Sequence, residues 1–208
     1  MTPNNTAKKP VVIGVTGNSG SGKSSVCGIL REKGAFIIDA DKIAHDIIKR
    51  CGPAYDEVIE AFGREILDAA GEIDRGRLGS VVFADAEKRD VLVDITHKHI
   101  LKEMLELKDK AAWDGRALIV MDAPLLIEAG LHNDCDAVWV VRANRAQRIA
   151  RIMRRDGLTR RAAQARLAAQ TPFGELAQYA TAIIDNDGEE NLEAQIDKAL
   201  AKLLVFVP

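Results

Sequence analysis

Five short apolar runs alternate with longer helical patterns along the chain. The runs have the length of strands and are rich in β-branched residues: Val11–Val15, Ala35–Ile38, Leu118–Met121, Ala137–Val141 and Ala182–Ile184. Continuous apolar runs of this length are typical of parallel strands that are buried on both faces. Strands that alternate with helices predict an α/β fold with a doubly wound parallel sheet of five strands.

The helical patterns fall into two groups. Val26–Lys33, which ends before Gly34, and Leu192–Leu204 lie beside predicted strands and are expected to cover the sheet. About 75 residues without a convincing strand separate the second and third strands, and Ala86–Ala112 is the longest helical pattern among them. A connection of this length is too long for a simple crossover, so we interpret it as a helical substrate-binding insertion.

Composition excludes several classes of protein. The chain has 208 residues, 47% of them apolar, and a formal net charge of −2, so we expect a full core and no general attraction to nucleic acid or membrane. No apolar run approaches ~18 residues, which predicts no membrane span. Residues 1–10 are predicted to be a loose polar tail that lacks a signal peptide. Cys27, Cys51 and Cys135 have no metal-binding spacing and are predicted to be reduced thiols of a cytoplasmic protein.

The clearest chemical motif follows the first strand. Residues 17–24, Gly-Asn-Ser-Gly-Ser-Gly-Lys-Ser, match G-x-x-x-x-G-K-[ST] at every fixed position and lie between a strand and a helix. The glycines let successive N–H groups wrap around phosphates, and the helix adds its positive N-terminal end. Lys23 is expected to contact the β- and γ-phosphates, and the Ser24 hydroxyl to hold Mg²⁺. The motif therefore predicts binding of a nucleoside triphosphate.

The remaining pattern favours a kinase of a small metabolite among the P-loop proteins. A GTPase carries a guanine-reading Asn-Lys-x-Asp after a later strand, and this sequence has none. Small size, a helical insertion and a late arginine-rich segment are typical of small-molecule kinases.

Acidic residues follow two of the other strands. Asp39 and Asp41 come after the second strand, and residues two apart on an extended chain point the same way, so either could accept a proton from an attacking hydroxyl. The alternative makes Asp41 the N-cap of a helix over Lys42–Arg50. Asp122 ends the third strand, where P-loop enzymes hold Mg²⁺ through water, although an acid at a strand end is also ordinary turn chemistry.

Nine arginines and one acid, Asp156, occupy Arg142–Arg166. On a helix, Arg148, Arg151 and Arg155 share a face. One-sided arginine predicts a lid that closes over transferring phosphates. The alternatives are a solvated face and a nucleic-acid patch, but the segment lacks the aromatic residues that would support the patch.

Taken in order, these motifs resemble the dephospho-CoA kinase family. The shared elements run from Val12 to about Leu192 and comprise Thr16–Ser24, Ile38–Asp41, His97, Asp122–Glu128, Arg151, Arg155-Asp156, Gln170 and Ile184–Gly188. Many enzymes share the phosphate loop, whereas its combination with Asp39-Ala-Asp41 and Pro124-Leu-Leu-Ile-Glu128 is far more specific.

The resemblance implies transfer of the γ-phosphoryl group of ATP, with Mg²⁺, to the ribose 3′-hydroxyl of dephospho-CoA. It implies a P-loop kinase fold with a nucleotide-binding core of residues 11–41, 116–146 and 182–208, a helical region for the acceptor of residues 42–115 and a small helical lid of residues 147–181. The alternatives are a P-loop kinase of another small acceptor, such as a nucleoside or nucleotide, and a non-catalytic ATP-binding regulatory protein. We expect no nucleic-acid or membrane partner, and a monomer, with weak self-association as the alternative.

Site residues follow by their match to the family's motifs. The predicted catalytic residues are Asp41 as the base, Lys23, Arg151 and Arg155. The predicted ATP-binding residues are Asn18, Ser19, Gly20, Ser21, Gly22, Lys23, Ser24, Ser25, Arg151 and Asn186. The predicted acceptor-binding residues are Asp39, Asp41, His97, Pro124, Leu125 and Leu126. Ser24 is predicted to bind Mg²⁺ directly, and Asp122 to bind it through water. Three positions depart from the family's pattern: Lys98 replaces a proline, Leu176 a basic lid residue and Thr181 an aspartate.

Overall fold

The structure is a computed structural model that describes residues 9–188 and 190–206. It contains two compact units. The first unit comprises the chain up to Ile38 and from Lys108 onward, and the second unit comprises Asp39–Leu107. Most of the predicted N-terminal tail, residues 1–8, lies outside the described residues, as do residues 189, 207 and 208 of the predicted core.

The first unit is built on a sheet of five parallel strands. They are β1 (Val11–Thr16), β2 (Phe36–Asp39), β3 (Leu118–Asp122), β4 (Ala137–Arg142) and β5 (Ala182–Asp185). The order β2-β3-β1-β4-β5 places β1 in the centre, where all six of its residues are buried. The predicted α/β fold with a five-stranded parallel sheet is confirmed, because each apolar run forms a strand close to its predicted bounds.

The helices of the described residues are numbered in chain order. They are α1 (Lys23–Glu32), α2 (Ala40–Asp46), α3 (Tyr55–Phe62), α4 (Arg75–Ala84), α5 (Ala86–Trp113), α6 (Arg145–Asp156), α7 (Arg160–Ala168), α8 (Phe173–Ala177) and α9 (Leu192–Phe206). None of them is both long enough and apolar enough to cross a bilayer.

The core of the first unit packs α1 and α9 against the sheet. Leu30 of α1 and Ile196 of α9 are fully buried beside Ile13 and Trp139. On β1, a Cβ atom at Gly14 would lie 2.5 Å from the side chain of Leu126, so the absence of a side chain at Gly14 lets Leu126 pack closely against the strand. Cys27, Cys51 and Cys135 form no disulfide with one another, and burial raises the pKa of Cys135 to about 12.

The second unit has a small core of its own. Val58 and Phe62 of α3 pack with Ile66, Ile73 and Leu78. Its described residues contain only one isolated antiparallel bridge, between Leu67 and Ile73, and no longer strand. Helical packing therefore supports this unit.

The first helix of the second unit corrects the sequence-based interpretation of Asp41. The helix begins at Ala40 and ends at Asp46, not over Lys42–Arg50 as predicted, because Asp39 is its N-cap and accepts the N–H of Lys42 at 3.0 Å. The interpretation of Asp41 as the cap is therefore wrong. Asp39 and Asp41 also do not lie two apart on an extended chain as predicted, since the chain is helical from Ala40 onward.

Candidate active site

The phosphate loop connects β1 to α1, and two of its glycines adopt a left-handed backbone conformation that favours glycine. Gly20 and Gly22 have φ angles of +77° and +94°. A Cβ atom would lie 2.7 Å from the carbonyl oxygen of Arg148 at Gly20 and would overlap the side-chain amide of Asn186 at Gly22. The glycines therefore let other segments of the first unit contact the loop backbone directly.

The N–H groups of the loop form an anion cradle. The Ser21 N–H donates to the carbonyl oxygen of Asn18 at 3.0 Å, and Lys23 Nζ donates to the carbonyl oxygen of Gly17 at 3.2 Å. Four other N–H groups find no protein acceptor among the described residues: those of Gly20, Gly22, Lys23 and Ser24. Unpaired N–H groups at the start of a helix are suited to bind phosphate oxygens.

Arg151 and Asn186 hold the second half of the loop from its carbonyl side. Arg151 Nη1 donates to the carbonyl oxygens of Gly20 and Ser21, both at 3.1 Å, and Asn186 Nδ2 donates to Ser21 at 2.9 Å. Arg151 Nη2 also donates to the Asn186 carbonyl oxygen at 2.8 Å. Both residues were predicted to bind ATP, and in the structure both contact the loop that would cradle it.

Arg148 and Gln170 hold the first half of the loop. Arg148 Nε donates to the Ser19 carbonyl oxygen at 3.1 Å, and Gln170 Oε1 accepts the Ser19 N–H at 3.0 Å. Neither was among the predicted site residues. The signal for Arg148 was its i, i+3 spacing to Arg151, whereas Gln170 had no signal beyond its place in the family pattern.

The first half of α6 leaves two positive charges uncompensated near the loop. Arg148 and Arg151 are both partly buried, and their hydrogen-bond acceptors in the described residues are all neutral oxygen atoms. Burial, and then the neighbouring Arg145, lowers the pKa of Arg148. A polyphosphate bound in the loop would compensate these charges.

The end of α6 is arranged differently. Arg155 donates through Nε and Nη2 to the carboxylate of Asp156 at 2.7 and 3.0 Å, and its side chain is 59% exposed. Arg166 donates to the same carboxylate at 2.8 Å, and the hydrogen bond from Arg155 is the largest cause of the lowered pKa of Asp156. Arg151 and Arg155, predicted to share one helix face, thus have different hydrogen-bond partners among the described residues.

Asp122 lies beside the start of the phosphate loop. It is paired with Val15 across β3 and β1, and the Ala123 N–H donates to the Val15 carbonyl oxygen at 3.1 Å. Ser24, the other predicted magnesium residue, is exposed in the first turn of α1. Asp122 ends β3, and Ser24 follows the neighbouring strand β1 through the phosphate loop.

The Pro124-Leu125-Leu126 segment divides between surface and core. The Pro124 carbonyl oxygen accepts the buried hydroxyl of Thr16 at 3.2 Å. Leu125 is 57% exposed, whereas Leu126 is fully buried. Leu125 is therefore accessible to a ligand, and Leu126 belongs to the core.

The predicted acceptor residues of the second unit lie at or near its surface. Asp41 is exposed in the first turn of α2, and His97 is partly buried on α5. Beside it, Lys98 and His99 both contact the carboxylate of Glu57 on α3, the latter at 2.8 Å. The lysine at the family's proline position thus ties α5 to α3.

The other two departures from the family pattern have structural roles. Leu176 is 3% exposed on α8, so no basic group stands there. The Thr181 hydroxyl donates to the carbonyl oxygen of Val138 at 3.0 Å and accepts the N–H of Val138 at 3.1 Å. These bonds join the start of β5 to β4.

Comparisons with known proteins show the family to which this chain is similar. The sequence profile of the family described as Dephospho-CoA kinase matches residues 11–191. A dephospho-CoA kinase of Carboxydothermus hydrogenoformans is 44% identical over 192 residues, which cover 92% of this chain and 93% of that protein. The crystal structure of a Thermus thermophilus protein has a TM-score of 0.78 at 31% identity and covers 97% of this chain and 100% of its own. A dephospho-CoA kinase from Campylobacter jejuni has a TM-score of 0.65 at 28% identity, with 92% and 96% covered.

Proposed function

The chain belongs to the dephospho-CoA kinase family, and from this premise we propose that it transfers the γ-phosphoryl group of ATP to the ribose 3′-hydroxyl of dephospho-CoA. The products are CoA and ADP. The observation that carries the proposal is the family match over residues 11–191, which includes a complete phosphate loop.

The phosphate loop and its arginines supply the ATP side of the reaction. The free N–H groups cradle the phosphates, and Lys23 stabilises negative charge that grows on the transferring group. Arg151 and Arg155 add charge-assisted hydrogen bonds as residues 147–181 act as a lid. Asn186 also binds ATP in this proposal, in keeping with its hydrogen bond to the Ser21 carbonyl oxygen of the loop.

Asp41 acts as the general base on the acceptor side. The 3′-oxygen forms a bond to the γ-phosphorus while the bond from that phosphorus to the β,γ-bridging oxygen breaks. The hydroxyl proton passes to the Asp41 carboxylate, which is exposed and free to face a substrate. Asp39, His97, Pro124 and Leu125 line the acceptor, and residues 42–115 bind its pantetheine arm.

Ser24 and Asp122 are suited to hold Mg²⁺ with the phosphates of ATP. Hydroxyl and carboxylate oxygens are the ligands that Mg²⁺ prefers, and both side chains belong to segments that follow neighbouring strands. When bound, Mg²⁺ neutralises charge on the β- and γ-phosphate oxygens. We further propose that the protein acts in the cytoplasm as a monomer, as its reduced cysteines and modest net charge suggest.

An assay of ADP release against a panel of acceptors tests the function. The panel contains dephospho-CoA, adenosine, AMP and shikimate at equal concentrations with ATP and Mg²⁺. We expect turnover with dephospho-CoA far above that with every other acceptor. Equal or faster turnover with AMP or adenosine would identify a different kinase, and ATP binding without turnover would indicate a regulatory protein.

A further inference from the structure

The side chain of Gln170 lies against the phosphate loop, and both the oxygen and the nitrogen of its amide form hydrogen bonds. Oε1 accepts the Ser19 N–H at 3.0 Å and Arg148 Nη2 at 3.2 Å, while Nε2 donates to the Ser19 hydroxyl at 2.9 Å. Because both groups facing Oε1 can only donate, the amide has one consistent orientation. Arg148 closes the ring by donating from Nε to the Ser19 carbonyl oxygen at 3.1 Å.

This ring of hydrogen bonds controls one peptide group of the loop. In a planar trans peptide, the carbonyl oxygen and the following N–H point in opposite directions. Since Arg148 binds the carbonyl oxygen of Ser19, the N–H of Gly20 points away from α6. Gly20 has no side chain to restrict its backbone, so the direction of its N–H depends on these contacts.

Neighbouring contacts support the same first half of the loop. Asn18 Nδ2 donates to the Thr171 carbonyl oxygen at 2.8 Å, directly after Gln170. The Thr171 hydroxyl in turn donates to Glu128 at 2.7 Å. The turn at 170–171 is therefore anchored on both sides, which gives Gln170 a fixed position from which to act.

We propose that Gln170 and Arg148 are positioning residues that orient the Ser19–Gly20 peptide so that the Gly20 N–H faces the bound polyphosphate of ATP. The inference rests on the ATP-binding part of the proposed function and is independent of the acceptor. Neither residue needs to touch the reacting atoms.

ADP binding to the full chain, measured by calorimetry, tests the role of Gln170. Gln170→Met nearly preserves size and changes no charge, but it removes all three hydrogen bonds. We expect ADP to bind about tenfold more weakly, the loss expected when a charge-assisted network around one peptide is broken. Gln178→Met is the matched control, because Gln178 is exposed after α8 and has no side-chain hydrogen bond among the described residues. Wild-type affinity in Gln170→Met would overturn the proposal.

Arg148→Lys separates positioning from charge. Lysine keeps the positive charge but cannot donate from two rigidly spaced nitrogens, so affinity should stay about tenfold below wild type. The double variant with Gln170→Met should bind ADP no more weakly than either single variant, because the ring is already broken. Full affinity in Arg148→Lys, or additive losses in the double variant, would contradict the proposal. Arg148→Lys also carries the test if Gln170→Met does not fold.

The amide resonance of Gly20 gives a readout that a general loss of stability would not mimic. In glycine-labelled wild-type protein, ADP should shift this resonance, and in folded Gln170→Met the shift should be clearly reduced. An unchanged shift would overturn the positioning role. Failure of the wild-type protein to phosphorylate dephospho-CoA, with these ADP effects intact, would count against the proposed function alone.

Discussion

The two units of the protein hold their predicted site residues in different ways. In the first unit, the phosphate loop is bound by side chains that lie 129 to 165 residues away along the chain. In the second unit, Asp41 is exposed and makes no side-chain hydrogen bond to any described residue. We therefore expect that function on the phosphate side depends on neighbouring residues that set the geometry of the loop, and that function on the acceptor side depends on the Asp41 carboxylate itself.

Substitutions should reveal this difference. A change near the loop alters the position of several donors together, so its effect spreads over binding and turnover. A change at Asp41 removes one chemical group and leaves the fold intact. We expect the largest effect at Asp41 and the smallest at Glu57.

Asp41→Asn should produce the largest effect. Asparagine keeps the shape but cannot accept the proton, so kcat should fall by roughly 10²–10⁴. Thermal stability should barely change, because Asp39 and not Asp41 caps α2. Steady-state kinetics and thermal melting check both statements, and Asp39→Ala is the stability control, with an expected loss of about 1 kcal/mol. Normal activity per folded molecule in Asp41→Asn would show that Asp41 is not the general base.

Lys23→Ala should have the second-largest effect on turnover. Lys23 makes a single described hydrogen bond, to the carbonyl oxygen of Gly17, so its loss should leave the fold intact. We expect kcat to fall by roughly 10²–10³, because the lysine stabilises charge that develops during transfer. Near-wild-type kcat would show that transfer does not occur at this loop.

Arg155→Lys should have an intermediate effect. Lysine keeps the charge but loses the planar fork, so kcat/KM should drop about tenfold with little loss of stability. Arg160→Ala/Arg161→Ala is the control, since both arginines are exposed beyond Gly157 and their loss should matter much less. A larger loss of kcat/KM in the double variant would show that Arg160 and Arg161, and not Arg155, contact the phosphates.

Glu57→Gln should have the smallest effect, and it should depend on pH. Hydrogen bonds from Lys98, and then His99, lower the pKa of Glu57 below its ordinary value of 4.5. A carboxylate with a lowered folded-state pKa stabilises the fold above its unfolded pKa and loses that contribution as pH falls through the folded value. The Tm of Glu57→Gln should therefore lie slightly below that of wild type at pH 7, and the difference should shrink as pH drops below 4.5.

Glu60→Gln is the matched control for that experiment. Glu60 is exposed on the same helix and has no ion pair among the described residues. Its Tm should equal that of wild type across the same pH range. A Tm difference in Glu57→Gln that is constant with pH would mean that packing, not charge, joins α3 to α5.

The sequence predicts the sheet and the phosphate loop because their signals are local. Each strand of the first unit is a continuous apolar run, and the loop motif occupies eight successive residues. Helix α2 is predicted less well, because two acids near its start compete for the capping role and only the backbone geometry decides between Asp39 and Asp41.

The contacts behind the loop could not be predicted from local patterns. Helical spacing groups Arg148, Arg151 and Arg155 on one face, but it does not show that a carboxylate next in the chain, Asp156, binds the last of them. Gln170 reaches Ser19 across 151 residues, and no periodicity encodes that contact. Long-range hydrogen bonds of this kind require the folded structure.

The nature of the product tests the central claim most directly. Phosphorus NMR of a reaction that contains ATP, Mg²⁺ and dephospho-CoA follows every phosphate in one sample. We predict one new phosphomonoester, on the ribose 3′ carbon, for each ADP formed, and a signal that grows roughly 10²–10⁴ times more slowly with Asp41→Asn. ADP that forms with inorganic phosphate and without the new phosphomonoester would contradict it.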